Sequence, residues 1–393
     1  MDSITAQIRE LYTAADEDQQ RAIHVQLRDL QNDLSTEWDI VCRVGSGFLQ
    51  MALIRIGHNL HIFETLASRG KEEEPLTLEH FAKETGADRG LLGHLLRATA
   101  AFGFIHEAGK DAFKSNRMTT ILANENVSGA MDHGFDLHGR VALELPTYLT
   151  THAYQPMTSN TDLPFHLAFD TPLAPFDWLR ANPEQMKSLA HAMAISRPSQ
   201  WFDVYPVASA IGGGAAVTPT TVAMVDVGGG FGHQAVGVRR KFPELAAARF
   251  VVQDLKETLD GMASDERRRL EDVEGVEFQM HDFFTEQPVQ GAKIYYLRHV
   301  LHDWSDEECV RILKAIVPAM AEESRVVIDE VVLPDEGVPW QCAYMDVTMM
   351  ACLGGGERTR SEFEGLLERA GLKITEVVRY DSKMLSVVIA SLK

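Results

Sequence analysis

From residue 206 onward the chain alternates runs of β-branched and aromatic residues with stretches that suit helices, and no other feature limits the possible folds so tightly. The runs are AMVDV (223–227), RFVVQ (249–253), EFQM (277–280), KIYYL (293–297), RVVID (325–329), KITEVVRY (373–380) and LSVVIA (385–390). The first five are separated by segments long enough for the helical crossover that parallel strands need. Between the last two only residues 381–384 intervene, which permits an antiparallel hairpin and nothing else. The expected fold class is α/β, with a seven-stranded, Rossmann-like, mainly parallel sheet.

At 393 residues the chain is too long for one compact domain. Three segments are expected: an N-terminal helical region (1–125), a helical linker (126–205) and the sheet domain (206–393). In residues 1–40, Ile4, Ile8 and Leu11, then Ile23, Leu27 and Leu30, recur near a 3.6-residue period, as amphipathic helices require. That periodicity suits a partner chain or a solvated appendage equally. Farther on, a helix, a turn at Gly86, a second helix from Asp88 and two short strands near 104–106 and 112–114 read as a winged helix-turn-helix.

Charge argues against the usual use of that motif. Lys+Arg 37 against Asp+Glu 57 gives a net charge of −20, and the second helix offers only Arg89 and Arg97, so neither nucleic acid nor an anionic membrane is an expected partner. A scaffold or dimerisation role is the better expectation. Cys42, Cys309, Cys342 and Cys352 lack zinc-site spacing, so no structural metal is expected. The polar, acidic start and the lack of any 18-residue apolar run lead to the expectation of a soluble, cytoplasmic protein. Prolines at 156, 164, 172, 175 and 183 divide the Met- and aromatic-rich linker into short helices, suited to core or to the wall of an apolar pocket.

The first strand of the sheet ends in Val225-Asp226-Val227-Gly228-Gly229-Gly230-Phe231-Gly232. Glycine belongs there because side chains would block the close approach of backbone to a ligand. Asp254, with Leu255 beside it, follows the second strand, where a carboxylate can accept both hydroxyls of a ribose. After the third strand, Asp282 offers an acceptor for an adenine amine and Phe283 an aromatic face. Nucleoside binding follows; the hairpin-terminated seven strands and the acidic Asp226 favour S-adenosylmethionine over a dinucleotide, whose pyrophosphate would use the same loop.

Beyond the fourth strand lies Arg298-His299-Val300-Leu301-His302-Asp303-Trp304. Imidazole titrates near pH ~6.5, which equips His302 to take a proton from a phenol-like hydroxyl, with Glu330 and Glu357 as carboxylates that orient it. A buried histidine with a purely structural bond is the plainer reading of His302 taken alone. The blocks YYLRHVLHDWSDEECVRIL, VVIDEVVLP, GGGERTRSEF and VDVGGGFGHQ resemble those of S-adenosylmethionine-dependent O-methyltransferases of the plant caffeate and fungal polyketide type, over nearly the whole chain.

That resemblance implies His302 as general base flanked by Glu330 and Glu357. It implies a cofactor site formed by Asp226, Gly228, Gly229, Gly230, Asp254, Leu255, Asp282 and Phe283, with Arg298 where the family has a lysine. It implies a homodimer joined through the N-terminal winged-helix domain, and a small-molecule acceptor pocket that includes Met193, Ser196 and Met349. The expected reaction is methyl transfer to an aromatic or enolic hydroxyl of a polyketide, pyridone or flavonoid-like metabolite. One alternative keeps the fold: some fungal relatives catalyse dehydrations and pericyclic rearrangements with the sulfonium as a fixed charge, and His133, Arg197 and Arg298 would then hold a substrate carbonyl. A second is a regulator that senses S-adenosylmethionine and binds DNA through the winged helix.

Overall fold

The computed structural model describes residues 2–69, 74–195, 199–212, 217–261, 275–381 and 383–393. They form two compact units, one of Met1–Ala153 with Pro164–Ser196, the other of Tyr154–Leu163 with Arg197–Lys393. Residues 126–205, expected as a linker, are shared between these two units. Most of them fall in the first unit, where the helix Pro183–Met193 lies on Glu125–His133 and the latter packs on Gly47–Asn59.

In the first unit, reciprocal side-chain caps open the helices Glu17–Leu34 (Asp16 with Gln19) and Glu37–Gly45 (Thr36 with Asp39). The winged helix is present: Leu78–Thr85, a left-handed Gly86, then Arg89–Ala101, whose first turn is capped by the Asp88 carboxylate accepting the Leu91 N–H. Its sheet has three strands, β1 (Leu76–Thr77), β2 (His106–Gly109) and β3 (Ala112–Lys114), in the order β1-β3-β2. Phe81, Leu92, Leu96 and Phe113 fill its core. Arg89 is engaged locally with Glu79 and Asp111. Prolines open Pro164–Phe169, Pro175–Ala181 and Pro183–Met193, where a missing N–H costs nothing.

The second unit holds the expected sheet: β4 (Val222–Val227), β5 (Arg249–Asp254), β6 (Val276–Met280), β7 (Ile294–Arg298), β8 (Arg325–Leu333), β10 (Leu372–Arg379) and β11 (Leu385–Leu392), in the order β10-β11-β8-β7-β4-β5-β6. Strands β4 to β8 run parallel; β10 and β11 form the antiparallel hairpin. Two departures matter for the site. Strand β8 extends to Leu333, so Glu330 sits inside it, paired with Ser386, rather than closing it. A two-residue strand β9 (Arg358–Thr359) pairs with Val332 and Leu333, which delivers the preceding Glu357 beside Glu330. Buried apolar side chains cover both faces of the sheet, so its polar residues gather at the carboxyl ends of the strands. Among the described residues no single helix is long and apolar enough to cross a membrane.

Candidate active site

Strand β7 ends at Arg298, and the chain turns at His299, whose φ of 48° is rare for a residue with a side chain. The 3-10 turn Leu301–Asp303 follows. Glu330 holds this turn from below: its Oε1 accepts the N–H groups of Val300 and Leu301, both at 3.0 Å, and of His302 at 3.4 Å. The loop 354–358 clips it from the side. Gly356 N–H donates to the His302 carbonyl (2.9 Å), and the buried Arg358 guanidinium donates to the carbonyls of Leu301 (2.9 Å) and Trp304 (2.8 Å).

His302 is thereby presented to three carboxylates. Its Nδ1 lies 3.0 Å from Glu357 Oε1 and 3.7 Å from Glu330 Oε2, and its Nε2 lies 3.3 Å from Asp303 Oδ1. Burial pulls the imidazole toward its neutral form, but Glu330, Asp303 and Glu357 outweigh that and lift it to about 10. Glu330 shows the reverse balance: burial raises it, His302 and His299 draw it down, and it settles at about 2. Burial dominates at Asp303, pushed up to about 7, and raises Glu357 as well.

No side chain fits at Gly355, where a Cβ would stand 2.0 Å from the His302 carbonyl oxygen and 2.7 Å from the Trp304 nitrogen. Gly355→Ala must therefore push the His302 turn off its seat. Since an ångström of misplacement at a reacting centre costs on the order of 10²-fold, kcat should fall about that much in steady-state assays, with the affinity for S-adenosylmethionine little changed.

At the ends of β4 and β5 the glycine loop folds over Asp226. A Cβ on Gly229 would meet the Asp226 carboxyl at 2.5 Å. Gly228 and Gly230 adopt φ of 69° and 55°, which suits glycine. The Asp254 carboxylate accepts the N–H of Gly230 (2.9 Å) and of Leu255 (2.7 Å), tying loop to strand. Asp226 is buried, its Oδ2 has no hydrogen-bond partner, and burial pushes it up to about 7 while Arg298 pulls it back. Phe283 lies beside Gly228, and Trp304 packs edge-on against Phe284 and Phe283. Asp282 is exposed and accepts the Phe284 N–H.

These groups fit an adenosyl amino acid. An orphaned buried carboxylate suits a cationic end, a strand-end carboxylate suits a diol, and a ring beside glycine suits a base.

Arg298 is held by a network that the sequence does not announce. Its Nη1 lies 3.3 Å from Asp329 Oδ2, and the fully buried Asp329 also accepts the hydroxyls of Tyr296 (2.5 Å) and Tyr380 (2.7 Å). Asp303, Gly355 and Arg358 were equally hidden, although each adjoins a motif residue in sequence. Of the expected acceptor contacts, His133 and Met193 belong to the first unit and Met349 to the second. His133 is buried with its Nδ1 unpartnered, Met193 is 65% exposed at the end of its helix, and Met349 is buried on the helix Trp340–Leu353. Ser196 and Arg197 lie outside the described residues.

Residues 215–373 match the O-methyltransferase domain family. The chain is 45% identical to the demethylsterigmatocystin 6-O-methyltransferase of Aspergillus parasiticus over 390 residues, 99% of this chain and 97% of that one. The chain belongs to the S-adenosylmethionine-dependent O-methyltransferases. Two solved structures have the same fold throughout: a pericyclic reaction enzyme (31% identity, TM-score 0.91, covering 100% of this chain and 99% of that one) and LepI in complex with SAM (31%, 0.89, 100% and 98%). As an O-methyltransferase, the chain has its glycine loop and its carboxylate-ringed histidine at neighbouring strand ends of one sheet, as methyl transfer between two ligands requires.

Proposed function

We propose that this O-methyltransferase methylates an aromatic or enolic hydroxyl of a polyketide-type secondary metabolite, with His302 as the general base. One observation carries the reading: at the strand ends beside the glycine loop, His302 is oriented by Glu357 Oε1 at 3.0 Å and flanked by Glu330 Oε2 at 3.7 Å and Asp303 Oδ1 at 3.3 Å, carboxylates that raise its affinity for a proton. Bound S-adenosylmethionine supplies a methyl group already activated by the sulfonium. The chain's residues then align and deprotonate the acceptor. Asp226 and the Gly228–Gly230 loop hold the amino acid end, Asp254 and Leu255 the ribose, and Asp282 and Phe283 the adenine. Arg298 stands beside this site. Glu357 accepts the Nδ1–H of His302, so Nε2, 3.3 Å from Asp303 Oδ1, is the nitrogen that receives the acceptor's proton.

The similarity to the demethylsterigmatocystin methyltransferase supports a phenolic polyketide as acceptor. Met349, His133, Met193, Ser196 and Arg197 are the residues assigned to it. The three-part division at 125 and 205 is kept as a functional one: dimerisation, acceptor binding and methyl transfer. To test the reading, the protein is incubated with methyl-labelled cofactor and hydroxylated aromatic polyketides, and label and product mass are followed together. Labelled methyl ether is the expected product. The likeness to a pericyclic reaction enzyme favours a second reading, in which the product is an isomer and the cofactor is recovered unchanged.

The chain pairs with a second copy through its N-terminal helices. This is supported by the exposure of Ile4 (62%), Trp38 (73%), Val44 (73%) and Phe48 (75%) on three of the first four helices. Large apolar side chains exposed at this density mark a surface that a partner covers. Light scattering of the full chain should give twice the 43.7 kDa chain mass, and the double substitution W38E/F48E should give the single-chain value.

A further inference from the structure

His299 has no part in the scheme above, yet it occupies a costly position. Its backbone is left-handed, and both of its ring nitrogens are buried without a hydrogen-bond partner. Its ring stacks on that of His302 with centroids 5.1 Å apart. Both Nδ1 atoms address the same oxygen: Glu330 Oε2 lies 3.7 Å from His299 Nδ1 and 3.7 Å from His302 Nδ1, and that buried oxygen accepts no hydrogen bond. His299 Nδ1 and Glu330 Oε2 thus meet only as an ion pair beyond hydrogen-bond range, an incomplete compensation for buried polar atoms that a cation between them would complete.

We propose that His299, His302 and Glu330 form a binding site for one divalent transition-metal cation of the zinc class, and that its occupancy switches His302 off as a base. One ligating atom from each residue lies within 4.8 Å of the other two. Around tetrahedral zinc, with bonds of about 2.0–2.2 Å, neighbouring ligand atoms stand about 3.3–3.5 Å apart, so the two 3.7 Å pairs close by a few tenths of an ångström, and the two imidazole nitrogens, within 4.8 Å of each other on stacked rings, close by a rotation of the His299 ring. Two imidazoles and a carboxylate select zinc, cobalt or copper over magnesium or calcium, which prefer oxygen donors alone. Glu357, with Oε1 3.0 Å from His302 Nδ1 and Oε2 unpartnered, is the carboxylate at hand for a fourth position.

The switch follows from imidazole chemistry. When Nδ1 binds the metal, the neutral ring carries its one proton on Nε2, and Nε2 has no lone pair left for the acceptor's proton. The proton displaced from Nδ1 passes to Nε2, or to solvent if the ring began as imidazolium. This consequence rests on His302 being the base; the site itself does not.

The test is titration of the full-length, metal-free protein with cobalt(II), read by visible absorption. One equivalent should give the intense bands of a tetrahedral cobalt centre, and zinc should displace them. His299→Phe, which keeps the ring stack, and His299→Ala should both abolish the bands while still binding S-adenosylmethionine, which reports that they fold. Zinc should slow methyl transfer by wild type reversibly, with EDTA restoring it, and His299→Phe should need at least tenfold more zinc for the same effect. Cobalt bands that are absent in wild type, or unchanged in both His299 variants, overturn the site whatever the activity shows. Tetrahedral bands of the expected pattern with zinc-insensitive methyl transfer overturn the switch. Absence of methyl transfer with or without metal refutes the functional reading and leaves the cobalt result to stand alone.

Discussion

His302→Gln is expected to lower kcat about 10²–10⁴-fold, with S-adenosylmethionine binding retained, because glutamine keeps a hydrogen-bonding side chain but cannot accept the acceptor's proton. The pH profile identifies the cause. In wild type the ring must lose its proton before it can act, so methyl transfer should rise with pH from neutrality toward alkalinity, up to a limit below about 10, because a bound sulfonium disfavours a second cation. The variant should lose that rise.

Stability should move the opposite way. The folded-state value of His302, about 10, lies above the ordinary 6.5, so the imidazolium stabilises the fold fully below pH ~6.5, and that contribution disappears as pH climbs through 10. Urea midpoints of wild type should therefore fall more steeply than those of His302→Gln between pH 7 and 10, by an amount of order a few kcal/mol.

Glu330→Ala is expected to do more damage to the fold. The carboxylate is buried, accepts three backbone N–H groups of the turn and faces His302, so its removal breaks a buried ion pair and leaves the donors unsatisfied. Such losses cost about 3–5 kcal/mol, readable as a lowered urea midpoint, and activity should fall with the turn's alignment. Glu330→Gln preserves an acceptor for the backbone and should recover much of the stability. It removes the negative charge beside His302, so its alkaline limb of activity should shift to lower pH. Glu330 itself is held at about 2, below the ordinary 4.5. Its stabilisation is present above pH ~4.5 and is lost as pH falls through 2, so wild type alone should show that component of acid unfolding.

The parts of the site that were legible in sequence are those that follow a strand. The glycine loop, Asp254, Arg298 and His302 each come directly after a β run, and in a parallel sheet all such positions share one edge. Glu357 was read from its glycine-rich loop as a carboxylate for His302, but its place there depends on β9 pairing with β8, a strand of two residues too short to leave a periodic signal. Glu330 was read as a carboxylate that orients the ring, and its grip on three backbone N–H groups was not foreseeable because β8 continues three residues past it. His299 carried no signal, since nothing in the local sequence encodes a left-handed turn at a histidine. The domain division at 125 and 205 followed composition, whereas the compact units follow which helices bury one another.

The sequence by itself determined which segments are strands, the parallel run and the closing hairpin, the winged helix and the loop for the cofactor, because side-chain period and connection length are local properties; the order of the strands across the sheet came from the structure. Only the tertiary structure decided what kind of base His302 is. Its proton affinity comes from carboxylates at 303, 330 and 357, the last two far from it along the chain, acting across a few ångströms from which water is excluded. Coulomb interactions depend on distance and dielectric, and neither exists until the chain has closed around them.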